Sequence, residues 1–316
     1  MNLNKKINIL IVAKPWGGGL QQYYLNAFNR NDKCSAKIVY TYPNTFKDYI
    51  SYKLNKKIWV QKKIDYINSS NYDLGFFINN ERIANKVNNR NNFLYLTDNP
   101  NIEKIDTNNI TKIFISDAGY ISKINNRNKS IEELPFGFDP IIHKVCKFNG
   151  EKKPICSMIN RDPERGIILE SLIKKSIKLD VYGNYFFRDR LYFKKPQMFY
   201  PSVSFPNQGK IYSKYLISLN IHASVLKNGT NMRTFEVCGY RLAQIVNNRP
   251  GLESFFEPDK EIMVFSNIDE YIYKFNKLIK DKKIYKKMVD SSYKRAFSHH
   301  TYDARVKQIL FNHTKF

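Results

Sequence analysis

Residues 219–239 read Leu219-Asn220-Ile221-His222-Ala223-Ser224-Val225-Leu226-Lys227-Asn228-Gly229-Thr230-Asn231-Met232-Arg233-Thr234-Phe235-Glu236-Val237-Cys238-Gly239. A short apolar run ends at His222, a polar loop carrying Gly229 follows, and a helix opens near Asn231. Strand, glycine-bearing loop and helix in that order are half of a βαβ unit, the building block of parallel sheets. The first N–H groups of such a helix have no intrahelical partner and face the end of the sheet, a ready seat for phosphate. Gly229, Thr230, Asn231, Met232 and Arg233 would form that seat. Glu236 lies about one turn further, placed to accept the two hydroxyls of a ribose. A capped helix with one buried, paired glutamate is the plainer reading of the same residues.

The pattern repeats outward in both directions. Apolar runs suggest strands at 7–13, 36–42, 73–78, 92–97 and 112–116, and again at 154–159, 178–182, 219–222, 242–246 and 262–265. They are continuous rather than alternating, as in sheets covered on both faces. Helical patterns separate them at 20–29, 46–68, 81–88 and 119–125, then at 165–176, 210–217, 232–240 and 268–280, with two more filling the C-terminus. Two consecutive systems of this kind predict an α/β protein with two Rossmann-like, doubly wound domains facing a cleft. The expected division is 1–135, a linker at 136–153 rich in Pro and Gly, a second domain at 154–298, and a C-terminal helix at 299–316 that packs back on the first domain.

Ligands of doubly wound sheets bind beyond the carboxyl ends of the strands, so the residues just after each strand carry the functional expectations. Trp16-Gly17-Gly18-Gly19 follows the first strand and lets backbone approach a ligand closely; a tight turn explains it equally well. Asp98, in Thr97-Asp98-Asn99-Pro100, is a candidate general base or else an Asx turn, and Asp117 after strand 112–116 is another. Arg161 and Arg165 flank a helix start, where guanidinium groups and backbone N–H can hold a diphosphate. His222 is a further candidate base or a core histidine.

Of 316 residues, 52 are Lys or Arg and 28 Asp or Glu, a net charge of +24. Residues 1–150 hold 22 basic and 12 acidic residues and 151–316 hold 30 and 16, so the excess is not a tail. Such a surface attracts nucleic acid, acidic membrane or phosphorylated small molecules. The lysines of 274–287 form a solvated helix face or a contact to acidic lipid. Four cysteines without CxxC spacing argue against a zinc ribbon or disulfide scaffold and fit a reducing cytoplasm. No apolar run nears the ~18 residues of a membrane span. Lys5-Lys6 before 7–13 suggests a buried strand rather than a secretion signal, because the apolar stretch is short and Asn8 interrupts it.

The chain resembles the GT-B glycosyltransferases, in particular the CgeB-like (spore maturation protein) branch of the group 1 transferases. The resemblance rests on Leu96-Thr97-Asp98-Asn99-Pro100, Leu134-Pro135-Phe136-Gly137-Phe138-Asp139-Pro140-Ile141-Ile142-His143, Leu219–His222 with Asn231–Gly239, Gly251-Leu252-Glu253 with Lys260-Glu261-Ile262, and His300-Thr301-Tyr302-Asp303-Ala304-Arg305. It implies a nucleotide-sugar donor held by the C-terminal domain, with Glu236 on the ribose, Thr230–Arg233 on the diphosphate, Arg161 and Arg165 on the leaving phosphates, and Tyr182-Gly183 near the base. An acceptor (glycan, lipid-linked or protein) would lie on the N-terminal domain near Trp16–Gly19. Asn228 stands where many retaining members carry the first of two glutamates eight positions apart, which leaves the anomeric outcome open. With no Asp-x-Asp triplet, transfer is expected to need neither a cofactor nor a divalent metal. Surface-glycan synthesis, in the cytoplasm or at the inner face of the membrane, is the expected setting. A phage-type transferase acting on modified DNA bases and a non-catalytic nucleotide- or nucleic-acid-binding protein are the alternatives.

Overall fold

The computed structural model describes residues 6–88, 91–97, 107–123, 130–185 and 187–314. It divides into two compact units, Met1–Pro135 with Tyr302–Phe316, and Phe136–Thr301. The stretch 136–153, expected as a linker, clusters with the second unit.

The first unit runs β1 (Ile7–Ala13), α1 (Leu20–Arg30), β2 (Cys34–Tyr40), α2 (Phe46–Leu54), α3 (Lys56–Ser69), β3 (Leu74–Ile78), α4 (Glu81–Ala84), β4 (Asn92–Leu96), β5 (Lys112–Ile115) and β6 (Ser130–Glu133). Its sheet has the order β2-β1-β3-β4-β5-β6 with every pair parallel. Ile9 to Ala13 and all of β3 and β4 are buried, as continuous apolar strands require. Each buried Leu, Ile or Phe side chain of this kind contributes about 1.5–3 kcal/mol. The single helix expected over 46–68 is two, because Asn55 leaves helical geometry and its side chain accepts the Ile58 N–H to start α3.

The second unit runs β7 (Lys153–Met158), α5 (Pro163–Lys174), β8 (Asp180–Tyr182), α6 (Arg190–Lys194), β9 (Phe199–Tyr200), α7 (Gln208–Tyr212), β10 (Tyr215–Asn220), α8 (Met232–Gly239), β11 (Ala243–Asn247), β12 (Met263–Phe265), α9 (Ile268–Lys280) and α10 (Lys282–His299). The sheet order is β12-β11-β10-β7-β8-β9, again wholly parallel. The chain builds outward from β7 to β9, returns to the middle, and builds the other way from β10. The reversal leaves a crevice at the carboxyl ends of β7 and β10, the topological switch point where such sheets bind ligands. The helix expected at 210–217 stops at Tyr212, and its last three positions open β10.

The last helix, α11 (Tyr302–His313), belongs to the first unit, where it packs on α1. Tyr302 stacks on Tyr23 at 5.2 Å between ring centroids, and Arg30 pairs with Asp303 at 2.8 Å. No helix among the described residues is long and apolar enough to cross a membrane.

Candidate functional site

The switch point of the second unit gathers the residues that follow β7, β10 and β11. Asp162 caps α5, accepting the N–H of Glu164 at 3.1 Å and of Arg165 at 3.4 Å. The same carboxylate accepts the Ser224 N–H at 3.1 Å and the Ser224 hydroxyl at 2.8 Å, which ties the loop after β10 to the start of α5. Burial alone would raise the Asp162 pKa, but the Ser224 and backbone hydrogen bonds bring it below the ordinary value. Arg165 crosses the crevice itself. Its Nε donates to the Ile221 carbonyl at 2.7 Å and its guanidinium to the Asn160 carbonyl at 3.2 Å. The arginine turn at 161–165 and the loop leading to α8 therefore meet.

Two consequences differ from the sequence expectation. The first-turn N–H groups of α5 are occupied by Asp162, which leaves α8 as the helix start suited to an anion. Arg161 points aside, its Nε on Asp189 at 3.0 Å and its backbone N–H on Asn184 at 2.6 Å.

Around α8 the polar side chains interlock. Asn231 caps the helix through Thr234 and exchanges two amide hydrogen bonds with Asn220, at 2.9 and 3.0 Å. Asn220 also donates to the Thr234 hydroxyl at 2.9 Å. His222 is fully buried. Its Nδ1 faces only acceptors, the Asn247 carbonyl at 3.2 Å and side-chain oxygen at 2.9 Å. Nδ1 therefore carries the proton, and Nε2 accepts from Thr230 at 2.8 Å. Burial is the main cause that lowers its pKa to about 4, so the ring is neutral near pH 7. Gly229, at φ +92°, donates its N–H to Pro250, and Gly251 at φ +80° leaves room for Asn228 beside it. Met232 is buried in the first turn of α8, which contains no acidic residue.

Three arginines surround this helix start. Arg233 donates to Gln208 at 2.7 Å and pairs with Glu236. Arg249 pairs with Glu164. Arg165 makes no ion pair with a carboxylate among the described residues. Burial is the largest influence lowering its pKa, and the Arg233 charge pushes the same way. Arg165, bonded to carbonyls rather than to a carboxylate and set beside Arg233, is the cation of this group placed to meet an anion.

Glu236 has no exposed surface. His143 Nδ1 accepts the Asp139 N–H at 2.8 Å, so Nε2 carries the proton, and it faces Glu236 Oε1 at 3.5 Å. Burial would raise the Glu236 pKa; Arg233 and His143 outweigh it and hold the group below the ordinary carboxylate value. The open ribose acceptor expected from sequence is thus a closed Arg233–Glu236–His143 cluster. Gly239 makes the cluster possible, since a Cβ there would lie 2.5 Å from the His143 carbonyl oxygen.

The remaining candidates lie elsewhere. The Tyr182 hydroxyl bonds to Tyr215 at 2.9 Å, and Tyr215 donates to Asp180 at 2.6 Å. Gly183 lets the Ile159 carbonyl approach to where a Cβ would sit. In the first unit Gly17, Gly18 and Gly19 form the turn from β1 to α1, with Gly19 at φ +89° and Trp16 exposed. Asp117 is buried and accepts the Gly119 N–H at 2.9 Å. Asp98 lies outside the described residues. Among the described residues no three His, Cys, Asp or Glu side chains gather as a metal-ligand set.

Sequence reasoning passed over Arg249, Asn220, Asn247, Gln208 and the partnership of His143 with Glu236. Arg249 had a signal, because Asn247-Asn248-Arg249-Pro250-Gly251 is a polar turn at a strand end. His143 had none, since it lies far from Glu236 in the chain.

Residues 165–311 match the family model described as glycosyl transferase-like. No curated protein matches the chain in sequence. Among solved structures it is similar to sucrose-phosphate synthase from Thermosynechococcus elongatus, with 10% identity, a TM-score of 0.68, and 98% of this chain and 99% of that one covered. Anabaena HepE in complex with UDP gives 12% identity, a TM-score of 0.68, and coverage of 98% and 100%. A glycosyltransferase from Rickettsia africae gives 11% identity, a TM-score of 0.66, and coverage of 98% and 98%. At such identities the likeness speaks to fold. Residues 165–311 thus match a glycosyl transferase-like family model, and the two parallel six-stranded sheets with their helices are the GT-B fold of these neighbours.

Proposed function

We propose that this protein is a glycosyltransferase whose second unit holds a nucleotide-sugar donor at the ends of β7 and β10. The observation that carries the reading is Arg165, a largely enclosed guanidinium bonded to carbonyls and set beside Arg233 at the start of α8. HepE holds UDP and UDP-glucose on this fold, which makes uracil the first base to test. During transfer the bond from the sugar anomeric carbon to the diphosphate oxygen breaks, and that oxygen keeps the electron pair. Arg165, Arg233 and the α8 N–H groups are placed to stabilise the negative charge that leaves, without a divalent metal. The acceptor oxygen forms the new bond to the anomeric carbon and loses its proton.

Binding would open the Arg233–Glu236 pair. Arg233 turns to the phosphates, the ribose hydroxyls take its place on Glu236, and the His143 Nε2–H holds the carboxylate meanwhile. His222 acts through Thr230 as a positioning residue, because its one lone pair is spent there. The acceptor belongs to the first unit near Gly17–Gly19, with Asp98 the residue to test first as base. The proposal includes the CgeB-like branch and a role in surface-glycan synthesis, supported by the motifs at 134–143 and 231–239.

A thermal-shift panel of UDP, GDP, ADP, dTDP and CMP tests the donor site. One diphosphate, UDP first, should raise the Tm by mass action. Release of UDP from UDP-glucose should then persist in EDTA. A panel without any shift would overturn the reading.

A further inference from the structure

The helix α2 presents its apolar side to solvent. Phe46, Tyr49, Ile50 and Leu54 fall at i, i+3, i+4 and i+8, one face of a helix. They are 80%, 49%, 45% and 81% exposed, while Tyr52 is the one residue of α2 that is buried. Ile58, in the first turn of α3, extends the patch at 53% exposure. Large side chains gathered this way normally mark a binding surface. Residues 46–63 also carry six lysines against one acidic residue, Asp48. The cations interleave with the rings: Lys53 lies over Tyr49 at 5.4 Å and Lys63 over Trp59 at 4.5 Å. Lys62 and Lys63 continue the positive rim into a groove of about 480 Å³ between α3 and the open edge of β2.

We propose that α2 and the start of α3 dock on a lipid bilayer rich in anionic headgroups, with Phe46, Ile50 and Leu54 entering the acyl boundary and the lysines resting on the phosphates. Apolar residues flanked by lysines are what an interfacial helix requires. Nucleic acid would engage the lysines but has no use for the outward aliphatic side chains. A second copy of this chain would bring like charges together. The lysines of 274–287 lack the apolar half of the combination. Lys274 is already held by Asp259 at 2.8 Å, and Tyr273 and Ile279 are the only large exposed apolar residues of α9.

Co-sedimentation of the full chain with vesicles tests this without any nucleotide, so the result is independent of the transferase reading. The chain should pellet with phosphatidylcholine vesicles containing a third phosphatidylglycerol and stay in solution with phosphatidylcholine alone. Phe46→Ser with Leu54→Ser should weaken binding by about tenfold or more, with Tm unchanged because both side chains are exposed. Lys56→Glu with Lys57→Glu should weaken it at low salt, and Lys283→Glu with Lys287→Glu on α10 should not. Unchanged lipid binding in the Phe46→Ser, Leu54→Ser variant would overturn the proposal. So would loss through the α10 variant, an equal dependence of duplex DNA binding on Phe46 and Leu54, or a dimer that those substitutions dissociate. Release by inorganic phosphate beyond the effect of chloride at equal ionic strength would also overturn it, by showing a soluble-anion pocket instead.

Discussion

Each unit has one topological switch point, between β1 and β3 in the first and between β7 and β10 in the second. The two are alike in backbone and unlike in side chains. Beyond β1 and β3 the side chains that hydrogen-bond to one another are hydroxyls and amides: Thr41 donates to Asn80 at 2.7 Å, Asn79 to Thr97 at 2.6 Å, and α1 opens at Gly19 without a side-chain cap. Beyond β7 and β10 stand Arg165 and Arg233 around an Asn-capped helix, with Arg249 following β11. A parallel sheet that reverses its winding creates a crevice in either case. On the reading proposed above, the side chains at its rim decide what enters, a diphosphate in the second unit and an uncharged hydroxyl group in the first.

The largest expected effect separates the two rims by chemistry. Arg165→Ala should lower turnover of the nucleotide sugar by about 100-fold or more, the usual cost of removing a group that stabilises developing charge. Gly18→Ala, where a Cβ meets only the movable Trp16 ring, should leave nucleotide affinity intact in calorimetry. Equal losses in both variants would erase the distinction.

The next effect concerns stability. His222 titrates near 4 when folded and near its ordinary value of 6.5 when unfolded. Its contribution is complete above pH 6.5 and is lost as pH falls toward 4, because the unfolded chain takes up the proton first. The whole amounts to about 3 kcal/mol. Urea unfolding across that range should show the decline, and His222→Asn should flatten it.

Smaller again is Gly239→Ala. The new methyl would press on the His143 backbone, which cannot yield as a side chain can, and should cost about 1–3 kcal/mol of folding stability. Gly166→Ala on α5 meets nothing within 4 Å and should stabilise by about 0.5–1 kcal/mol. Thermal unfolding of the pair compares them directly.

Where strands were legible, the reason was burial on both faces. Run 7–13 coincides with β1, and 153–158 lies one residue from the expected 154–159. One edge strand of each sheet escaped notice for the converse reason: β6 reads Ser-Ile-Glu-Glu and is nowhere fully buried, and β9 is two residues long. Caps and glycines located the loop at 223–231, since Asn231 and Gly229 perform there what their chemistry suggests. Partnerships across the chain were not legible. That Asp162 would hold Ser224, or that Glu236 would be enclosed by Arg233 and His143, depends on the reversal of the sheet and on the close approach at Gly239.

Amide hydrogen exchange with and without UDP tests most directly where the diphosphate sits. Added UDP should slow exchange in 160–165 and 221–236 and leave the turn at 14–20 unaffected. Protection confined to 14–20, or no protection at either rim under saturating UDP, would contradict the assignment of the donor to the second unit.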